Sequence, residues 1–285
     1  MKRISTLPNL LTLANAGCGL LAISKAIDAL ASRGDEVRFD RLLEASCWLI
    51  LLAGVLDALD GRIARMTDSF SDFGAQLDSF ADAITFGVAP AMIAKVLLEH
   101  EDLLHPRIHF LAAASFSLMA VLRLARFNLD NEHDDEAHKE FLGLPSPAAA
   151  GSVITLVLIY LSFSGTIEVD GGGVTPVGRG VEIIPLALRE TVLTVLPLLI
   201  LVSLPLLGLL MVSGVRYSHA AATLLGGQTR FPVLVRVVFI AAAMYLAPVP
   251  VLFITAIWYV GGGLVHHLLA SRRSESSTEG PRRAA

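Results

Sequence analysis

Residues 57–82 of the chain read DALDGRIARMTDSFSDFGAQLDSFAD and lie between two strongly apolar stretches. Asp57 and Asp60 are three residues apart on one predicted helix, and Asp78 and Asp82 are four apart on the next. An isolated aspartate at the centre of a membrane helix costs roughly 2.5–3.5 kcal/mol. Four of them in such a context therefore predict a polar site that holds a cation.

The composition of the whole chain predicts an all-α, polytopic integral membrane bundle. Of its 285 residues, 54% are hydrophobic and 17% are charged, against about 25% charged in soluble domains. Apolar segments of about 20 residues, the length needed to cross a bilayer, recur along the chain. We predict eight spans, at 10–30, 43–65, 75–98, 108–128, 147–165, 187–212, 231–247 and 249–269.

The last two predicted spans are separated only by Ala247-Pro248-Val249-Pro250, which predicts either a tight turn or a kink in one long element. We expect residues 1–270 to form one transmembrane domain and the polar tail, 271–285, to be disordered. Gly261-Gly262-Gly263 is interpreted as a site of close helix packing rather than a phosphate loop.

The basic residues predict how the bundle is oriented. With eight spans both termini lie on one side, and most of the 22 lysines and arginines fall on that side. The excess of Lys and Arg in cytoplasmic loops then predicts that both termini face the cytoplasm. The acidic run lies at those ends of its two spans that are on the same side as the termini. Its site is therefore expected to open to the cytoplasm, and the protein is expected in the inner or plasma membrane.

The acidic run has the chemistry of a site for divalent metal. Residues three or four apart share one helix face, and a short connection makes the two helices antiparallel neighbours, so the two pairs can face each other. Mg²⁺ and Mn²⁺ prefer oxygen ligands, and two such ions would suit a pyrophosphate substrate. Arg65 can pair with a phosphate, and a carboxylate not committed to metal can act as a general base. A cation or proton relay in a transporter is the rival interpretation.

The spacing of the acidic run resembles a known signature. The pattern Asp57-x2-Asp60-Gly61-x2-Ala64-Arg65-x8-Gly74-x3-Asp78-x3-Asp82 is similar at every fixed position to that of the CDP-alcohol phosphatidyltransferase family. The resemblance implies a membrane enzyme that transfers a phosphatidyl group from a CDP-linked lipid to an alcohol and releases CMP. It also implies a homodimer and a divalent-metal requirement. We expect no nucleic-acid partner.

The resemblance assigns roles to individual residues. By motif position Asp57, Asp60 and Asp78 are metal ligands, and Asp82 contributes to the metal site and serves as the base. The CDP moiety falls on Asp60, Gly61, Ala64, Arg65 and Gly74, with Asn9 and Thr12 near the start of the first span. Asn9 and Thr12 are expected either to cap that helix or to contact the nucleotide.

Three further segments resemble the phosphatidylserine synthase branch of the family, and the similarity covers about residues 5–150. They are Pro8–Asn15, Arg123–Asn128 and Phe141–Ala150. The branch implies CDP-diacylglycerol and L-serine as substrates, among membrane lipids. The residues expected to hold the serine or the lipid phosphate are Arg123, Arg126, Asn128, Gly143, Pro145 and Ser146.

Other acceptors within the family stay open: glycerol 3-phosphate, inositol phosphate and choline. An acceptor that carries a phosphate would require additional Lys or Arg beside the site. The acidic segment at 131–140, NEHDDEAHKE, argues against such an acceptor.

Overall fold

The computed structural model describes residues 6–32, 34–66, 72–132, 141–164, 186–217 and 230–278, almost all of them helical. A π-helical segment at Ala83–Val88 joins the third and fourth helices, and two short strands, β1 (Phe141–Leu142) and β2 (Arg216–Tyr217), pair with each other. The helices are α1 (Thr6–Ala31), α2 (Glu36–Met66), α3 (Asp72–Asp82), α4 (Ala89–His100), α5 (Pro106–Glu132), α6 (Ser146–Ser164), α7 (Leu186–Val212), α8 (Arg230–Leu246) and α9 (Pro248–Thr278).

The helices confirm the predicted fold class. Within the described ranges, 7 helical stretches are long and apolar enough to cross a membrane, and α3, the π-helical segment and α4 together form one of them. The predicted span at 231–247 corresponds to α8, whose 17 residues make a helix of about 25 Å. That length is short of a hydrocarbon core of about 30 Å.

The boundary between α8 and α9 lies at Ala247, as the prolines predict. The Ala247 N–H donates to the Ala243 carbonyl at 2.8 Å, and the Val251 N–H donates to the Ala247 carbonyl at 3.3 Å. Each helix is therefore hydrogen-bonded up to Ala247, and the break between them is confined to that one residue. Pro248 and Pro250 lack the N–H groups that would complete the ladder.

Two predicted boundaries differ from the structure. The second helix begins at Glu36 rather than 43, because the Asp35 side chain accepts the Arg38 N–H at 3.0 Å and thereby caps the helix. The last helix continues to Thr278, so the expected disordered tail does not begin at 271, and residues 279–285 lie outside the described residues. Both extensions are polar, which is why hydropathy alone did not include them.

The centre of the bundle is formed by α6 and by the span that contains α3 and α4. In each, 67% of the most apolar window is buried, against 11% in α9. Small side chains form a buried stripe on α1: Ala22, Ala26 and Ala29 share one face and are fully buried, and α1 packs against α2 and against the span that contains α3 and α4. Close contact between small residues is a common means by which helices associate in lipid, because the hydrophobic effect does not drive them together there.

The π-helical segment directly follows Asp82 and packs against α1. The Ala89 N–H donates to the Ile84 carbonyl, five residues back, and Pro90 has no N–H to offer the Phe86 carbonyl. The Thr85 hydroxyl donates to the Asn15 carbonyl at 3.2 Å. A Cβ at Gly19 would lie 2.5 Å from Thr85 Oγ1, so glycine is needed for this approach.

A compact turn before α6 is tied to the end of α7. The Gly143 N–H donates to the Val215 carbonyl at 2.8 Å, and the Leu144 N–H donates to the Leu210 carbonyl at 3.0 Å. Gly143 has a φ of +86°, and a Cβ there would lie 2.2 Å from the Met211 carbonyl oxygen. The turn therefore requires glycine for both its backbone conformation and its packing.

Candidate active site

The structure brings Asp57, Asp60 and Asp78 together, as the sequence predicts. One carboxylate oxygen from each lies within 4.8 Å of the others. Asp57 and Asp60 share a face of α2 near its carboxyl end, and Asp78 projects from α3, which returns beside it. Asp60 is only 5% exposed. Three acidic oxygens held this close repel each other unless a cation lies between them.

The donor set fits a divalent metal ion. Two oxygens on opposite sides of Mg²⁺, at its usual bond length, are about 4.2 Å apart. The three oxygens are within 4.8 Å of one another, so small side-chain rotations would bring them onto one ion. All the ligands are carboxylates, which is the chemistry that Mg²⁺ and Mn²⁺ prefer.

Asp82 lies beside the three clustered aspartates, and it is not a member of the group within 4.8 Å. Its carboxylate is within electrostatic reach of Asp57, Asp60 and Asp78. The Asn15 side-chain amide donates to Asp82 Oδ1 at 3.4 Å. This hydrogen bond orients the Asp82 carboxylate beside the three clustered aspartates.

Thr12 connects α1 to the acidic group. Its hydroxyl, which has one hydrogen to donate, lies 3.0 Å from Asp60 Oδ2 and 3.1 Å from the Pro8 carbonyl oxygen. Thr12 is 5% exposed. The expectation that Asn9 and Thr12 cap this helix is wrong, because α1 already begins at Thr6 and both residues lie inside it.

The space beside the acidic group is open. A Cβ at Gly61 would have no atom within 4 Å, so the protein itself does not require glycine there. Gly74 precedes Asp78 by four residues and so shares its face of α3. The side chains of Ala64 and Arg65 are not among those that the structure describes.

The residues expected to hold the acceptor lie on α5 and around the turn before α6. Arg123 donates from Nη1 to the Ser146 hydroxyl at 2.8 Å, and it is within electrostatic reach of Asp82. Ser146 is fully buried, and Pro145, the residue before it, is half-buried. Arg123 therefore interacts both with the start of α6 and with the candidate base.

Asn128 and Arg126 are placed differently. The Asn128 amide donates to the Ser79 hydroxyl at 3.0 Å, which fixes it beside the helix that carries Asp78. The side chain of Arg126 is exposed. The structure thus places Asn128 next to the acidic helix, and Arg126 on the surface of α5.

Asn15 and Thr85, both near the acidic group, were not predicted from the sequence. Asn15 is fully buried and bonds to Asp82, and Thr85 bonds to the Asn15 carbonyl. The signal was present for Asn15, because Thr12 and Asn15 are three residues apart and share one face of α1. Thr85 gave no local signal, since its contact is made across 70 residues of sequence.

Comparison with known proteins agrees with this geometry. The profile of the CDP-alcohol phosphatidyltransferase family matches residues 5–177. A CDP-diacylglycerol–serine O-phosphatidyltransferase of Helicobacter pylori is 42% identical over 114 residues, covering 40% of this chain and 46% of that protein. A protein of the same name from Mycobacterium bovis is 34% identical over 163 residues, covering 56% of this chain and 51% of that protein.

A third relative of that name, from Methanocaldococcus jannaschii, is 37% identical over 150 residues, covering 53% of this chain and 59% of that protein. The chain thus spans about half the length of these curated relatives. The matched residues contain the whole acidic run, α1 and the turn at Gly143. The chain belongs to the CDP-alcohol phosphatidyltransferase family.

Proposed function

We propose that the protein is a CDP-diacylglycerol–serine O-phosphatidyltransferase, which transfers a phosphatidyl group to L-serine and releases CMP. The single observation that carries the proposal is the convergence of Asp57, Asp60 and Asp78 within 4.8 Å, with Asp82 beside them. Serine as the acceptor is supported by the names of the three relatives.

Asp57, Asp60 and Asp78 would hold the divalent metal, Mg²⁺ or Mn²⁺, and two ions would suit the pyrophosphate. When bound, the metal neutralises the charge on the pyrophosphate oxygens. Thr12 keeps the Asp60 carboxylate in position from the neighbouring helix. Metal sites depend on such supporting hydrogen bonds for the orientation of their ligands.

Asp82 takes the proton from the serine hydroxyl. The serine oxygen then forms a bond to the phosphorus attached to diacylglycerol, and the bond from that phosphorus to the oxygen bridging to CMP breaks. CMP leaves with the electron pair. Asn15 fixes Asp82 for this role through its 3.4 Å hydrogen bond. A positioned general base contributes typically about 10²- to 10⁴-fold to the rate.

The CDP moiety lies against the open side of α2 in this proposal, over Gly61, with Ala64, Arg65 and Gly74 near it. Support comes from the free space beyond Gly61, which a side chain would fill. Asn9, half-buried one turn before Thr12, is close enough in the helix to contribute a polar contact. Replacement of Gly61 by alanine should weaken CDP binding while leaving the fold intact.

The protein acts in the inner or plasma membrane in this proposal, with the site and both termini in the cytoplasm, as a homodimer. Residues 1–270 form the catalytic membrane domain. The orientation requires α8 to cross the bilayer despite its 17 residues. Single cysteines added at the two ends of the chain test the orientation: both should be labelled only from the cytoplasmic side.

A panel of acceptors tests the acceptor directly. Purified protein with CDP-diacylglycerol and Mn²⁺ or Mg²⁺ should release CMP with L-serine, and much less with glycerol 3-phosphate, inositol phosphate or choline. A stronger reaction with one of those three would keep the reaction class and change the acceptor. A cation or proton transporter would release no CMP with any acceptor.

A further inference from the structure

Two buried hydrogen-bond donors near the candidate acceptor site have no partner. Within the described part of the chain, these are Arg123 Nε and the hydroxyl of Tyr217, which is 4% exposed. A buried donor without an acceptor is costly, and such groups in native proteins call for an explanation. The oxygens of a bound anion are acceptors that would satisfy donors of these two kinds.

Tyr217 is fixed by its neighbours rather than loosely placed. As part of β2 it pairs with Phe141, two residues before the turn at Gly143. Its ring lies directly on the backbone of α9, where a Cβ at Gly263 would come within 2.2 Å of the tyrosine Cε1. The expectation that Gly261–Gly263 serves close packing is thus met at Gly263.

Tyr259 links Tyr217 to Arg123. It lies four residues before Gly263 on the same face of α9, and its ring centroid is 5.7 Å from that of Tyr217. Tyr259 is also within electrostatic reach of Arg123, which is in turn within reach of Asp82. Successive interactions therefore connect the candidate base to the buried hydroxyl, in the order Asp82, Arg123, Tyr259 and Tyr217.

The charge of this region suits a carboxylate. Arg123 supplies a positive charge, and Tyr217 supplies a neutral donor. Burial raises the pKa of Tyr217 to about 12, so its hydroxyl stays protonated at physiological pH. Serine carries its carboxylate only two carbons from its hydroxyl, so a group that binds the carboxylate must lie near the base.

We propose that Tyr217, held by Gly263 and Tyr259, donates a hydrogen bond to the carboxylate of the amino-acid acceptor, together with Arg123. The inference rests on the proposed function and extends its acceptor site to residues beyond the match to the family. Tyr217 is thereby a specificity-determining residue, which distinguishes an acceptor with a carboxylate from an alcohol that lacks one.

The test compares Tyr217→Phe with the wild type in the full-length protein. L-serine and serine methyl ester, which lacks the negative charge, are used as acceptors. The variant should raise KM for serine about tenfold, the effect of one hydrogen bond to a charged group, and leave kcat and the KM for CDP-diacylglycerol unchanged. The KM of the variant for the methyl ester should change little. The ratio of kcat/KM for serine to kcat/KM for the methyl ester should therefore fall by about the same factor.

Tyr245→Phe is the matched control, since Tyr245 lies on α8 and is 74% exposed. It should change neither KM. Tyr217→Phe should also keep or raise Tm, because it removes an unpartnered buried hydroxyl and keeps the ring. A merely structural tyrosine would instead lower Tm and reduce kcat with both acceptors.

Three results would overturn the inference. One is an unchanged KM for serine in Tyr217→Phe, and another is an equal rise for serine and its methyl ester. The third is a lowered Tm with loss of kcat for both. A wild-type protein that forms no phosphatidylserine would be a different failure, seen before any variant is compared, and it would overturn the proposed function as well.

Discussion

Asn15 on α1 donates a hydrogen bond of 3.4 Å to Asp82 at the end of α3, across 67 residues of sequence. The same stretch of α1 holds Asp60 through Thr12. One face of the first helix therefore orients a carboxylate of the metal-binding group and the carboxylate next to it. In the proposed mechanism, these two contacts would support separate tasks of the acidic run: holding metal at Asp60 and accepting a proton at Asp82.

Asp82→Asn should abolish turnover while CMP binding is retained. Asparagine keeps the size of the side chain and an oxygen that can accept from Asn15, but it cannot take a proton. We expect kcat to fall by about 10²- to 10⁴-fold. Asp28→Asn, the same change at an exposed position of α1, is the control and should have no effect. Activity close to that of the wild type in Asp82→Asn would remove Asp82 from the role of base.

Thr12→Val should weaken the affinity for metal. Valine has the shape of threonine but cannot donate to Asp60, whose carboxylate would lose its hydrogen bond from α1. Loss of such a supporting contact typically costs 10- to 100-fold in metal affinity, so we expect the half-saturating Mn²⁺ concentration to rise by roughly tenfold. Thr12→Ser keeps the hydroxyl and should behave as the wild type. Identical metal titrations for the valine and serine variants would argue that the hydrogen bond from Thr12 to Asp60 does not contribute to metal affinity.

Gly143→Ala should destabilise the protein. The residue has a φ of +86°, and the added Cβ would meet the Met211 carbonyl oxygen at 2.2 Å. A side chain in that region of φ costs about 1–3 kcal/mol before the clash is counted. Tm in detergent should fall by several degrees. Gly151→Ala is the control, because it lies inside α6 with no atom within 4 Å of the added Cβ, and it should not lower Tm. Equal Tm values for the two variants would contradict the assigned strain.

Direct displacement by serine predicts no exchange of CMP in the absence of serine. In the proposed mechanism Asp57, Asp60 and Asp78 would hold the metal and Asp82 would act as the base, so none of the four would serve as a nucleophile. Labelled CMP incubated with protein and CDP-diacylglycerol should therefore not enter the lipid. Rapid incorporation of the label would instead indicate a phosphatidyl-enzyme intermediate, which is the signature of covalent catalysis.

The sequence predicted the elements of the bundle whose signal is local. Runs of about 20 apolar residues located the spans, and the prolines around Ala247 located the break between α8 and α9. The start of α2 at Glu36 was missed because its first turns are polar. Those turns are held by tertiary contacts, such as the 2.8 Å hydrogen bond between Ser164 and Asp40, which hydropathy does not detect.

The candidate site was predictable only as far as its residues are close in sequence. Fixed spacing on adjacent helices predicted that Asp57, Asp60 and Asp78 converge, and they do. The carbonyl contact from Thr85 and the position of Tyr217 depend on how distant helices meet. No local pattern in the sequence carries that information, so these residues could be identified only from the fold.

The most direct test of the central claim measures CMP and phosphatidylserine together. Purified protein is incubated with CDP-diacylglycerol, labelled L-serine and Mn²⁺ or Mg²⁺, then with a chelator, and then with metal restored. The proposed reaction should give equal amounts of CMP and labelled phosphatidylserine, with loss of both under chelation and recovery of both when metal returns. Absence of both products across metals and detergents, or their formation at an unchanged rate under chelation, would contradict it.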